Sequence, residues 1–393
     1  MIDRRHYFDW AGTAPCDPDI LNEALAASIE HWGNPSSIHR AGTDAKTALE
    51  SARDRCARAL GVPAERLTFT SGGTESDHIA LLSVLTRPQK GSVLLSALEH
   101  PALREMASTL ANAGWEALTV APEPDGRISP QKLVAALKSD TAFVAVMAVN
   151  NETGAIQPVA EIADALCEHG KTHRKPFFHV DCVQAAGKIP IDLKHPGIDS
   201  AAFSAHKLGG PRGIGLLYHA REIQTFLRGG GQERNIRSGT ENIFGATAIA
   251  SCLERYCISP GNPAMEQRLL QQQEYTAHFL RQLLTIPTCT IIPHSRAEHG
   301  LQTEQHFSPW IVQAAFKGIP GQVMVRALDS KGFCISTGSA CSSGKNTRPV
   351  LDSMRVSAAE KESAVRFSFG HDTTLPAMDE LFREVQDVCR QFS

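Results

Sequence analysis

Short apolar runs, rich in β-branched and aromatic residues, recur through the first part of the chain and alternate with longer stretches of helical period. The runs are RLTFT at 66–70, SVLLSA at 92–97, AFVAVMAV at 142–149, FFHVD at 177–181, SAAFSA at 200–205 and IGLLYH at 214–219. Their hydrophobicity is continuous rather than alternating, which predicts strands covered on both faces and so a mostly parallel sheet sandwiched by helices. Helical patterns fall at 41–60, 74–85, 101–113 and 160–169, and Pro101 opens the third, where its fixed φ and missing N–H suit a helix start. After Cys257, ISPGNPAM gathers two prolines and a glycine between helical patterns and reads as a linker. Beyond it the pattern predicts a helix to about 284, a strand at 309–316, a helix at 320–330, a strand at 332–336, a polar Gly/Ser loop, a strand at 364–369 and a last helix. This is an α+β unit. The expected organisation is a large α/β domain over 15–257 and a smaller α+β domain formed by 1–14 and 258–393.

A chain of 393 residues exceeds the size at which one core keeps growing, in keeping with two domains. A formal charge of -3, spread without runs, leaves no footprint for nucleic acid or anionic lipid, so small molecules are the expected substrates. The 10 cysteines show neither CxxC pairs nor regular spacing, which points to reduced thiols rather than a disulfide framework or a zinc site. The N-terminus MIDRRHYFDW lacks the apolar core of a signal peptide, and no run of about 18 apolar residues exists to span a bilayer. The expectation is a cytoplasmic protein with no membrane contact and no metal.

Candidate chemistry gathers at the ends of the apolar runs. Lys207, in Ser204-Ala205-His206-Lys207, follows one run and precedes the Gly-rich LGGPRGIG. An amine at the carboxyl end of a buried strand faces the crevice where open α/β sheets bind ligands, and burial makes it nucleophilic towards an aldehyde. A surface lysine in a loop is the alternative. Asp181 ends another run, where a buried carboxylate needs a cationic partner such as a protonated pyridine; it could equally cap the following turn. Ser71-Gly72-Gly73-Thr74-Glu75 links a predicted strand to a helix, and free N–H groups at a helix start favour a phosphate, although a plain glycine turn explains it too. His100 follows the strand at 92–97, either as a structural histidine or as a ring that stacks on a flat cofactor and relays protons.

Taken together, YFDWAGTAP, GNPSSIHRAG, TSGGTESDH, VNNETGAIQPV, FHVDCVQAAGK, FSAHKLGGPRGIG, GGGQERNIRSGTEN, STGSACSSG and VRFSFG span nearly the whole chain. With these motifs the chain resembles the cysteine desulfurases of the NifS/IscS type, within the class V aminotransferase group. The resemblance implies the fold type I of pyridoxal 5′-phosphate enzymes, with a mostly parallel seven-stranded sheet, and pyridoxal 5′-phosphate as cofactor. It implies that Lys207 holds the cofactor as a Schiff base, Asp181 pairs with its ring nitrogen, His100 stacks on its face and Gln184 bonds its phenolic oxygen. Gly73, Thr74, Ser204 and His206 would cradle the phosphate, and Thr240 would complete the phosphate site of a neighbouring subunit, so a homodimer is expected. Asn151 and Arg366 match the positions that grip a substrate carboxylate, a task suited to the bidentate fork of arginine.

Cys341 lies in STGSACSSGKNTRPV, a run of small polar residues of the kind that forms mobile, accessible loops, 25 positions before Arg366. The resemblance gives it the catalytic thiolate that takes sulfur from L-cysteine as a persulfide, leaves L-alanine, and passes sulfur to an acceptor such as an iron–sulfur scaffold or a tRNA-thiolation protein. A selenocysteine lyase and a non-catalytic adaptor that binds sulfur acceptors are the competing expectations. Trp10, Gly12 and Ala14 depart from the commoner DYxATTP form of the first motif, at the border of the substrate entrance. Pro320 and Gln322 also depart, as helix-start variation.

Overall fold

The computed structural model describes residues 3–258, 262–298, 304–338 and 347–392. Seven strands form the larger sheet: β1 (Leu67–Thr70), β2 (Ser92–Ser96), β3 (Glu116–Val120), β4 (Thr141–Met147), β5 (Phe177–Asp181), β6 (Ser200–Ser204) and β7 (Gly215–His219), in the order β1-β7-β6-β5-β4-β2-β3. Only β7 runs against the rest, pairing antiparallel with both β1 and β6. Every residue of β4 is buried, as are all of β2, β6 and β7, which is the burial that continuous apolar runs require. The expectation of a mostly parallel α/β sheet holds.

Helices cover both faces: α1 (Pro18–Glu30), α2 (Arg40–Leu60), α3 (Gly73–Leu82), α4 (Pro101–Asn112), α5 (Pro130–Ala135), α6 (Val159–His169) and α7 (Ile243–Tyr256). Pro18 and Pro101 sit in first turns, and α2 stops at Gly61, whose φ of 68° places it in the left-handed region while its N–H caps the carbonyls of Ala57 and Arg58. A second sheet, antiparallel in the order β10-β9-β8, is built from β8 (Cys289–Ile292), β9 (Ile311–Phe316) and β10 (Ala364–Ser368). It packs with α8 (Pro263–Leu283), α9 (Gly321–Asp329), α10 (Pro349–Ser353), α11 (Ala358–Ser363) and α12 (Leu375–Gln391). The expected strand at 332–336 does not form as such: Cys334 and Ser336 make isolated bridges to Tyr7 and Arg366 instead. A short segment with one bridge on each side has no continuous ladder to join.

The topology decides where chemistry can occur. Because β1 and β6 both oppose β7, the strands β1, β2, β4, β5 and β6 all point their carboxyl ends to one edge, the edge at which open α/β sheets bind ligands. The chain's start is laid across that edge. Phe8 donates its N–H to Cys334 O at 2.8 Å and accepts from Ser368 N at 2.8 Å, which carries residues 9–13 over the mouth of the larger sheet. The largest apolar cluster joins the two sheets, running from Leu67 and Phe178 through Phe8 to Phe316 and Phe367.

One buried ion pair ties the far end of the sheet to the loop before α7. Arg53 and Glu233 face each other with two contacts of 2.7 Å, both side chains 2 % exposed, and Glu233 also accepts from Phe69 N at 2.8 Å. Glu233, Arg234 and Asn235 all have positive φ, a run of non-glycine residues in the left-handed region that needs such an anchor. Arg53→Met strands the Glu233 carboxylate without its cation and should lower stability by about 3–5 kcal/mol, read as a fall in urea midpoint with an unchanged slope.

Candidate active site

Lys207 ends the short 3₁₀ turn Ala205–Lys207 that follows β6, so its side chain enters the crevice at the carboxyl edge. The amine donates to the carbonyls of Ala11 at 2.7 Å and Gly12 at 2.6 Å, both from the crossing N-terminal segment. Burial, reinforced by the positive field of Arg366 and opposed by Asp9 and Asp181, lowers its pKa to about 8. At neutral pH the amine is still mostly protonated, but its neutral, nucleophilic form is far more populated than in an ordinary lysine.

A cavity of about 190 Å³ opens beside it, lined by Lys207, His100, Asp181, Gln184, Asn151 and Ser204 among others. Gly73, Thr74, Ser204 and His206 also line an adjoining cavity of about 370 Å³, together with Gly12, Thr13, Arg212 and the start of α3. Each lining residue has a local reason for its place. Asp181 is the last residue of β5; one carboxylate oxygen accepts from Val183 N at 2.8 Å, and burial, with Asp77 adding to it, raises its pKa to about 7. His100 caps α4, its Nδ1 accepting from Ala102 N at 3.2 Å, and burial next to Lys207 lowers its pKa to about 4. The imidazole is thus neutral, with the remaining proton on Nε2.

Gln184 holds a fixed amide: Nε2 donates to Ala11 O at 2.9 Å and Oε1 accepts from Lys188 Nζ at 2.5 Å. His206 Nδ1 lies 3.0 Å from Thr13 Oγ1, and burial lowers its pKa to about 4. At the start of α3, Gly72 carries a φ of 156°, and a Cβ on Gly73 would stand 2.6 Å from Val183 Cγ2, so the first residue of the helix has no room for a side chain; Gly72, Gly73, Thr74 and Glu75 all line the larger cavity. Beneath Asp181 lie two more buried carboxyls. Asp77 meets His179 Nε2 at 3.0 Å, with burial raising the pKa of the acid and lowering that of the base. Glu99, pushed up to about 8 by burial, accepts from Ser96 and Met147 N.

Arg366, on β10, is not a lining residue of either cavity. Its side chain is 4 % exposed, with Nη1 donating to Asn151 O at 2.8 Å and Nη2 meeting Asp9 Oδ1 at 2.6 Å. Thr240 is exposed and lines neither cavity. Cys341 lies outside the described residues. Three residues went unread in the sequence: Asp9, Lys188 and Arg212. Lys188 had a signal in a basic residue at the end of an otherwise apolar FHVDCVQAAGK, and Arg212 stands inside the Gly-rich turn already noted. Asp9 had none beyond its motif.

The donor set suits a flat, anionic aldehyde cofactor. It holds an amine of low pKa, a buried carboxyl for a ring cation, a neutral imidazole beside the slot and a glycine-led helix start for a phosphate.

Comparisons with known proteins give the chain a family. Residues 6–381 match the family model described as aminotransferase class-V. A NifS/IscS-type homologue from Lactobacillus delbrueckii subsp. bulgaricus is 34% identical, covering 98% of each chain. The cysteine desulfurase NifS of Azotobacter vinelandii is 33% identical over 98% of this chain and 92% of its own. A solved NifS-like protein superposes with a TM-score of 0.86 at 29% identity, covering 98% of this chain and 99% of that one.

An amine titrating near 8 has a direct consequence. In the ligand-free protein an amine-selective acylating reagent should modify Lys207 along a pH curve with its midpoint near 8, because the neutral form accumulates above that pH. Peptide mass spectrometry reads the extent, and a midpoint in the ordinary lysine range of about 10.4 contradicts the desolvated setting.

Proposed function

The chain belongs to the aminotransferase class-V family, and from that premise we propose that it is a pyridoxal 5′-phosphate-dependent cysteine desulfurase, converting L-cysteine to L-alanine and passing the sulfur onward. One observation carries the reading: a desolvated amine and a buried carboxyl face the same cavity, and an anion cradle opens from its other end. When bound, pyridoxal phosphate supplies an aldehyde carbon for an amine and a ring that withdraws electrons from the substrate's Cα.

The residues divide the remaining work. Lys207 holds the cofactor and then takes the proton from Cα, a role that suits a base titrating near neutrality. Asp181 keeps the ring nitrogen protonated, because a buried carboxyl gains its charge most readily opposite a cation. His100, a neutral imidazole, would cover the ring, and the Gln184 amide, fixed by Lys188, would bond its phenolic oxygen. Gly73, Thr74, Ser204 and His206 hold the phosphate, with Thr240 reaching the cradle of the partner subunit in a homodimer. Arg366 and Asn151 orient the substrate carboxylate.

Cys341 is the sulfur acceptor. Its thiolate attacks the substrate sulfur, an S–S bond forms as the Cβ–S bond breaks, and the electron pair stays on carbon. That carbon takes up a proton and becomes the methyl group of L-alanine, leaving a persulfide on Cys341 for an outside acceptor thiol.

Incubation of the cofactor-loaded protein with L-cysteine and a reductant should release sulfide and alanine in equal amounts. Cys341→Ala should abolish sulfide release from L-cysteine, and Lys207→Ala should cut turnover at least about 100-fold. Transamination without sulfide would overturn the desulfurase reading. With L-selenocysteine in place of L-cysteine, selenium release that survives in Cys341→Ala would move the assignment to a selenocysteine lyase.

A further inference from the structure

Arg366 already has a carboxylate partner supplied by the chain itself. Asp9 Oδ1 sits 2.6 Å from Nη2 of a guanidinium that is 4 % exposed, and Nη1 is turned away onto the carbonyls of Asn151 and Gly338, at 2.8 and 3.1 Å. Arg366 Nε is buried and has no partner among the described residues. The Nε–Nη2 edge is the side of a guanidinium that takes a carboxylate in two parallel hydrogen bonds, and here one of its two donors is held by Asp9 while the other is left open.

The position of Asp9 depends on a neighbour. Asp9 begins a turn in which Gly12 N and Thr13 N both donate to its carbonyl, at 2.9 and 3.3 Å, folding the side chain back over Gly12. A Cβ at residue 12 would meet Asp9 Oδ2 at 2.5 Å and Cγ at 2.9 Å. Gly12 lies outside the left-handed region, so its backbone admits an alanine, and the space above its Cα is what the Asp9 carboxylate needs. Gly12 is one of the positions at which the first motif departs from its commoner form.

We propose that Asp9 is an internal occupant of the carboxylate site: it competes with the substrate's carboxylate for Arg366 and must swing away for a ligand to take the Nε–Nη2 edge. The proposal rests on the reading of Arg366 as the substrate-carboxylate anchor and adds a determinant of affinity and selectivity to it. A ligand without a carboxylate leaves the Asp9–Arg366 pair in place, so Asp9 weakens only ligands that carry one. The Asp9 side chain is 28% exposed, so leaving the arginine returns it to water rather than to a buried dead end.

Calorimetric titration of the cofactor-loaded protein with L-alanine, and with alaninamide as the ligand lacking a carboxylate, tests this without turnover. Asp9→Asn and Gly12→Ala should each bind L-alanine about tenfold more tightly than the natural protein, with alaninamide affinity unchanged. Asp9→Asn keeps the side-chain volume, so it carries the test if Gly12→Ala disturbs the turn. Alanine affinity that stays the same or falls in Asp9→Asn overturns the proposal, as does an equal gain for alaninamide. Failure of the natural protein to release sulfide from L-cysteine would instead remove the desulfurase reading and leave the alanine comparison standing as a test of Asp9.

Discussion

The site depends on keeping one amine out of water without trapping it as an unpaired cation. Lys207 is buried at the carboxyl edge of a sheet, where an ammonium is disfavoured. Two carbonyls of the crossing N-terminal segment accept its protons, and the Arg366 cation pushes in the opposite direction. The outcome, a pKa near 8, belongs to no single neighbour. It requires β6 to run parallel to β5, the 3₁₀ turn after β6 to aim the side chain inwards, and Phe8 to pair with Cys334 and Ser368 so that Ala11 and Gly12 arrive at the right place. Fold and reactivity are coupled through those three conditions.

The same desolvation sets the other titrations. Asp181 and Glu99 are raised, while His100 and His206 are lowered, each with burial as the largest cause. The crevice is thus poised near neutrality rather than crowded with fixed charges, and a cationic ring placed against Asp181 draws that carboxyl into its ionised form. Arg366 is the exception. It is answered by a partner: the chain sets Asp9 against its guanidinium, with Glu152 and Arg348 forming a further pair of 3.6 Å close by.

Much of this was readable from residue order because the central strands are buried on both faces, and continuous apolar runs such as AFVAVMAV report that condition directly. The strands that escaped notice are those where the condition fails: β3 is mostly exposed at the sheet edge, and β8 is four residues long and half-buried. The reversed direction of β7 could not be read, since antiparallel and parallel strands buried on both sides look alike in sequence. Lys207, Asp181 and His100 were recognisable because each follows a strand. Asp9 acts through Arg366, 357 positions further along the chain, and spacing carries no trace of such a pair; Lys188 acts through Gln184, only four residues away, but nothing in the sequence says that the two side chains meet. The roles of Cys341 and Thr240 rest on the family resemblance.

Two amines, Lys207 and Lys188, are buried here with lowered pKa values, burial being the main cause in each and the charge of Lys207 adding to it at Lys188, so the central claim is best tested by asking which of them carries the cofactor. Borohydride reduction of the protein loaded with pyridoxal phosphate fixes the bond, and peptide mass spectrometry locates it. The account predicts the pyridoxyl group on Lys207 alone; its appearance on Lys188, or on neither, would contradict it.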